Sequence, residues 1–214
     1  MTDAAPLTAE AVMRRCAVIP VLTIERLEDA APLARALADG GLTVLEVTLR
    51  TSAALEAMAL MAEAAPEAIV GAGTVLNAAD FDRAATAGAR FIVTPGLTDP
   101  LVAAARASGL PFLPGVATAG EIMRGLDAGL DRFKFFPAET SGGAPALKAF
   151  QGPFGACKFC PTGGIGQASA PSYLALPNVL CVGGAWVVPT DAVRAGDWGR
   201  ITALAKAAAA LRQE

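Results

Sequence analysis

Histidine is absent from the chain altogether. That excludes a Ser-His-Asp triad, a Cys-His pair and any histidine-ligated metal site. Base chemistry near neutral pH must then come from a carboxylate, a lysine, a cysteine or Tyr173. Aromatic residues are scarce at 6%, so the apolar weight falls on Ala, Val, Leu and Gly, which suit helices packed tightly over a parallel sheet. The net charge of −3 gives a phosphate backbone nothing to pull on, and no nucleic-acid partner is expected. Mean hydropathy is +0.48, yet no run of 18 apolar residues is free of charge, so no membrane span is expected. The start Met1-Thr2-Asp3 lacks a basic segment leading into an apolar one, and no signal peptide is expected. Four cysteines without such a signal read as reduced thiols of a cytoplasmic protein.

What is present is a hydrophobic fraction of 54%, enough to bury a sizeable core, in 214 residues that read as one domain over 1–214. Short β-branched runs recur, each ending in Gly, Pro or Thr and followed by an Ala-rich segment. The expected strands are Ala17–Leu22, Thr43–Thr48, Ala68–Gly73, Arg90–Thr94, Pro111–Gly115, Arg132–Phe136, Cys157–Thr162 and Val179–Gly183. Helices are expected over Leu27–Ala38, after an N-capping Ser52 with Glu56 in the first turn, from Asn77, from Thr98-Asp99-Pro100, and from Thr118 with Glu121 at capping-box spacing. Thr8–Arg15 leads the set as an N-terminal helix and Asp197–Arg212 trails it. Strand-helix alternation means parallel strands with crossover helices. Runs such as Phe91-Ile92-Val93 suit strands covered on both faces. No pair of polar edge strands stands out, which favours a closed α/β (β/α)₈ TIM barrel over an open sheet.

Active sites of such barrels lie where strands end and helices begin. Lys134 sits there, in Arg132-Phe133-Lys134-Phe135-Phe136-Pro137. Desolvation at the end of an aromatic strand disfavours an ammonium, and a neutral amine attacks a ketone to give a Schiff base. The bland reading is a lysine whose stem packs while its head reaches water. Lys148, Lys158 and Lys206 have less apolar settings or lie on expected surface helices. Strand alternation puts Val44, Glu46, Thr48 and Arg50 on one face. Glu46 is then either half of a structural ion pair with Arg50 or a general acid/base beside an anion-binding guanidinium. Thr162-Gly163-Gly164 and Gly183-Gly184 follow the seventh and eighth strands, where barrels often hold phosphate on backbone N–H groups. Ordinary turn chemistry would give the same glycines. Cys157 and Cys160, three apart on a strand, point to opposite faces and read as core residues, as do Cys16 and Cys181. Trp186 and Trp198 read as packing residues.

Several segments together resemble the 2-keto-3-deoxy-6-phosphogluconate (KDPG) and 4-hydroxy-2-oxoglutarate (KHG) aldolases of the Entner–Doudoroff pathway. They are Glu46-Val47-Thr48-Leu49-Arg50-Thr51, Gly71-Ala72-Gly73-Thr74-Val75-Leu76, Thr94-Pro95-Gly96, Phe133 to Glu139, Cys160 to Ile165 and Gly183-Gly184-Ala185-Trp186. The resemblance runs from about Ala17 to Ala205. It implies a homotrimeric barrel and a class I lyase that needs no metal and no cofactor. By that resemblance Lys134 forms the Schiff base and Glu46 relays protons. Arg50 and Thr74 hold the pyruvoyl carboxylate, and Pro95 and Phe136 line the pyruvate pocket. Thr162 meets the C4–C6 portion, and Gly163, Gly164, Gly183, Gly184 and position 185 receive the phosphate. Ala185 stands where similar proteins often carry serine.

Three rivals remain at this level. One is the aldolase of the galactonate pathway, which cleaves the C4 epimer. It usually carries a shorter Lys-Ile-Phe-Pro segment, unlike Phe133–Pro137 here. The second is a phosphosugar isomerase or epimerase using Glu46 as base, without a covalent intermediate. The third is a phosphosugar-binding barrel that turns nothing over.

Overall fold

A computed structural model describes residues 6–211; Met1-Thr2-Asp3 and Arg212 lie outside them. Among the described residues nine strand segments run in parallel: β1 (Val18–Leu22), β2 (Val44–Thr48), β3 (Ile69–Gly73), β4 (Ile92–Val93), β5 (Phe112–Leu113), β6 (Gly115–Val116), β7 (Arg132–Phe135), β8 (Lys158–Pro161) and β9 (Val182–Gly184). One ladder orders them β5-β4-β3-β2-β1-β9 and another β6-β7-β8. Segments β5 and β6 are halves of a single strand, and a Thr162↔Gly183 bridge joins the β8 end to β9. The sheet therefore closes on itself as a (β/α)₈ barrel.

Three strands depart from the sequence expectation by more than one residue at an end, and of these the expected Arg90–Thr94 strand is cut back to Ile92–Val93. The Pro111–Gly115 strand is cut at Pro114, which has no N–H to donate. Its carbonyl still accepts the Lys134 backbone N–H at 2.9 Å, so the wall stays joined. The last strand starts later than expected, because Val179 is held in a turn by Leu176 and makes only an isolated bridge to Phe159.

The helices are α1 (Ala9–Arg15), α2 (Ala30–Asp39), α3 (Ala54–Ala64), α4 (Ala78–Thr86), α5 (Asp99–Ser108), α6 (Ala119–Asp127), α7 (Gly143–Phe150), α8 (Ala170–Leu174), α9 (Thr190–Ala195) and α10 (Trp198–Ala209). Thr8 and Asn77 cap α1 and α4 through their side chains, and Thr118 and Glu121 form the expected capping box. Ser52 does not cap α3: that helix starts after Ala53, with no side-chain cap. Leu27–Asp29 is a 3₁₀ turn leading into α2 rather than its first turn. Helices α7, α8 and α9 are short and weakly signalled; the sequence reading missed them.

On β7 the faces separate cleanly. Phe133 and Phe135 point outward into an aromatic layer with Phe150, Phe154 and Phe159, at centroid separations of 5.9–6.2 Å. Each such ring pair adds about 0.5–1.5 kcal/mol beyond area burial. Gly125 of α6 lies so close that a Cβ there would run into the Phe133 ring, which lets α6 press on β7. Arg132 and Lys134 take the inward face. Arg132 sits at the strand's start and pairs with Glu10 of α1 at 2.7 Å. Arg15 of the same helix donates to Thr43 Oγ1 at 3.2 Å beside the start of β2, so α1 lies across the N-terminal end of the barrel.

Hydrogen bonds from Arg132 and then Arg14 hold the Glu10 carboxyl at about 2, below its ordinary 4.5. Because the folded value is depressed, this contribution is present above the ordinary value and fades as pH falls toward about 2. The gap in Tm between the native chain and Glu10→Gln is therefore expected to be open at pH 6 and to narrow below pH 4.5. Melts followed by circular dichroism across that range would measure it, and a gap constant with pH would remove this pairing as a source of stability.

Candidate active site

Glu46 and Lys134 come from strands on opposite sides of the barrel and meet inside it. Lys134 Nζ donates to Glu46 Oε1 at 3.1 Å, and both side chains are under a tenth exposed. The Lys134 ammonium also lies 5.3 Å from the centroid of the Phe136 ring. Of the two readings of Glu46, the structural ion pair with Arg50 is not formed. Alternation stops at the end of β2, where Arg50 enters a turn closed by its own N–H to Thr48 O at 2.8 Å. Its guanidinium is exposed and makes no ion pair among the described residues. Glu46 is therefore committed to Lys134, and Arg50 stays open to an anion.

Room for the pair comes from a glycine that the sequence reading left without a role. A Cβ on Gly73 would collide with the Glu46 carboxylate, its Cγ 2.6 Å and its Cδ 2.7 Å away. The signal was legible: a glycine ends the strand beside the one that carries the glutamate. The next residue, Thr74, has φ +58°, a left-handed conformation that a β-branched residue rarely adopts. Such strain persists where the surroundings impose it, commonly at functional sites. Thr74 follows β3 and Arg50 follows β2, and the two strands pair through Thr48↔Gly73. Both residues thus stand at the same rim. Thr51 Oγ1 and Thr48 Oγ1 donate to Ile24 O at 2.7 Å and Leu22 O at 2.8 Å, fixing the Arg50 turn to the end of β1.

Pro95 follows β4, and its carbonyl lies against the Cα of Gly115, where no Cβ could fit. Gly163 and Gly164 form a loop after β8 at φ +104° and +79°. A Cβ on Gly163 would be 3.3 Å from Phe136 Cδ2, which ties this loop to the ring beside Lys134. Gly183 and Gly184 differ in kind. They lie within β9, paired with Ile19 and Pro20, at no positive φ. Their missing Cβ atoms make room for Thr162 and for the Trp186 ring. Buried Thr162 thus rests on Gly183. Ala185 is exposed just past β9, at the edge of a cavity of about 480 Å³ walled by Val21, Thr23, Ile24, Leu33, Val188 and Val193.

Other candidates fall away. Tyr173 is buried and donates to Glu139 Oε1 at 2.8 Å; burial, then that carboxylate, pushes its hydroxyl far above the usual range, so it is no base. Lys158 donates to Pro177 O at 3.0 Å, outside the site. Burial raises the Cys157 thiol, and the cysteines lie in the core as expected.

A parallel barrel with a buried amine against a carboxylate, rimmed by an unpaired guanidinium and glycine amides, has the layout of an imine-forming carbon–carbon lyase. Comparison with known proteins agrees. The family description "KDPG and KHG aldolase" matches residues 9–204, and the chain belongs to that family. It is 52% identical to the KHG/KDPG aldolase of Escherichia coli strain K12 over 201 residues, 94% of each chain. The aldolase of Zymomonas mobilis ZM4, solved with 3-phosphoglycerate, superposes with a TM-score of 0.92 at 55% identity, covering 98% of each chain. That of Legionella pneumophila, solved with pyruvate captured as a covalent carbinolamine intermediate, gives 0.93 at 48% identity, covering 95% of this chain and 98% of that one. The chain is a class I aldolase of this family.

Proposed function

We propose that Lys134 and Glu46 together cleave 2-keto-3-deoxy-6-phosphogluconate to pyruvate and glyceraldehyde 3-phosphate, and 4-hydroxy-2-oxoglutarate to pyruvate and glyoxylate. The observation that carries this is the 3.1 Å contact between the two side chains inside the barrel. Glu46 takes a proton from Lys134 Nζ, and the freed amine adds to the C2 ketone. Proton return through Glu46 expels water and leaves a protonated imine. The imine draws electrons from the C3–C4 bond as Glu46 removes the C4 hydroxyl proton. The aldehyde departs, and the same carboxyl then protonates C3 of the enamine. Hydrolysis releases pyruvate.

In this reading Arg50 and Thr74 hold the carboxylate, and Pro95 and Phe136 flank the pyruvoyl group. Thr162 meets C4–C6. The Gly163-Gly164 loop, with Gly183, Gly184 and position 185 across from it, receives the phosphate. The positive φ of Gly163 and Gly164 supports this, because backbone N–H groups can approach an anion there without a Cβ in the way. The family resemblance supports one domain over the whole chain and a homotrimer. Buried thiols at Cys16, Cys157 and Cys160 go with a reducing, cytoplasmic setting.

Borohydride added with pyruvate should inactivate the enzyme and leave a reduced adduct on the Lys134 peptide by mass spectrometry. Pyruvate release, coupled to lactate dehydrogenase, should follow addition of the phosphorylated substrate. An isomerase or a binding barrel gives neither result, and the C4 epimer offered in parallel separates the galactonate-pathway activity.

Position 185 gives a further expectation. A serine hydroxyl there would add one hydrogen bond to a charged acceptor, worth roughly 1.5–3 kcal/mol at best and less where water already fills the gap. Ala185→Ser should lower KM for the phosphorylated substrate, by about one to two decades at the upper bound. It should leave 4-hydroxy-2-oxoglutarate nearly unaffected. An unchanged ratio of kcat/KM for the two substrates would take position 185 out of the phosphate site.

A further inference from the structure

The Gly163-Gly164 loop has an acidic neighbour. Glu139 N–H donates to Gly163 O at 3.1 Å, and Ala138 N–H to Thr162 O at 2.8 Å, so the segment after β7 is stitched to the segment after β8. The Glu139 stem lies on Gly164: a Cβ on that glycine would be 2.6 Å from Glu139 Cγ and 2.8 Å from its Cβ. A carboxylate this close to backbone amides that should face a phosphate has two available roles. Swung over the loop, it would compete for the amides and repel the phosphate. Held back, it serves only as packing. Its Oε1 is taken by the Tyr173 hydroxyl at 2.8 Å.

Tyr173 is itself well fixed. It comes from α8, is 2% exposed, and its hydroxyl stands at the start of α7, where a Cβ on Gly143 would be 3.2 Å away. Burial and the adjacent carboxylate keep that hydroxyl protonated, hence a donor, throughout the neutral range. Neither residue touches Lys134 or Glu46 among the described contacts.

We propose that Tyr173 is a positioning residue for substrate specificity: by hydrogen-bonding Glu139 it holds a carboxylate away from the Gly163-Gly164 amides and keeps that loop receptive to the phosphate. This rests on the assignment of the loop to phosphate made above. Tyr173→Phe removes the tether and keeps the ring. KM for 2-keto-3-deoxy-6-phosphogluconate should rise roughly three- to tenfold, the size of one solvent-screened like-charge contact. kcat should stay level, as should both constants for the same sugar acid without its phosphate. Adding Glu139→Gln to that variant removes the charge that was set loose, and KM should return to within about twofold of the native value. Glu139→Gln alone should leave KM unchanged or lower it slightly, and it reads the same charge if Tyr173→Phe does not fold.

Equal losses on both substrates, or no rescue by the second substitution, would mean that Tyr173 is merely structural. A marked rise in KM for Glu139→Gln alone would make the carboxylate a helper and overturn the proposal. The native enzyme supplies the separate control. If it does not prefer the phosphorylated substrate to the unphosphorylated one, the phosphate assignment itself fails, whatever Tyr173→Phe does.

Discussion

Lys134→Arg should abolish cleavage, with kcat falling by at least about 10³-fold, as expected when a covalent nucleophile is removed. Arginine keeps the positive charge and can still bond Glu46, so the buried carboxylate is not left unpaired. The fold should survive, which circular dichroism would verify. What is lost is chemical: a guanidinium stays protonated near pH 7 and has no lone pair to add to a ketone. Pyruvate with borohydride should then leave no adduct. A variant with a tenth of native activity would exclude the covalent route through this residue.

Glu46→Gln should cost roughly 10²–10⁴ in kcat, the usual worth of a positioned acid–base group. The amide keeps the shape and can accept the Lys134 hydrogen bond, but it shuttles no proton. Removing one partner of a buried ion pair also costs about 3–5 kcal/mol when the other charge remains. Here the glutamine amide oxygen still accepts from Lys134 Nζ, so the buried amine keeps a hydrogen-bond partner. The variant should therefore stay folded and still trap pyruvate slowly under borohydride, while turnover collapses. Loss of trapping and turnover in equal measure would make Glu46 a structural partner of the lysine rather than the acid/base.

The sequence carried the barrel because strand and helix signals are local. Apolar β-branched runs and glycine stops mark most strands, and Thr118 with Glu121 marks α6 down to its capping box. It failed where structure depends on a neighbour. Ser52 had the chemistry of a cap, but the chain enters α3 one residue later. Pro114 split a strand that its flanks encouraged. In the site, Lys134 stood out by its apolar surroundings alone, whereas the partner of Glu46 could not be found by counting along a strand. Alternation put Arg50 on the same face as Glu46 and offered a pair with it as one of two readings; the partner observed is 88 residues away and across the barrel. Gly73 was visible as a glycine, but its meaning lies in the carboxylate that occupies the space a Cβ would take. Glu139 and Tyr173, 34 residues apart, acquire a relation only once α8 is folded against the segment after β7.

The two inward basic residues of β7 divide one strand between two duties. Arg132 anchors α1 across one end, and Lys134 stands two residues along, about 6.6 Å further up the barrel. The leading helix is thus a brace as well as an appendage. A shortened chain beginning at Ala17 would retain every atom assigned to the reaction, yet Arg132 would lose the Glu10 carboxylate and Thr43 the bond from Arg15. Its shortfall would be one of bracing, not of parts.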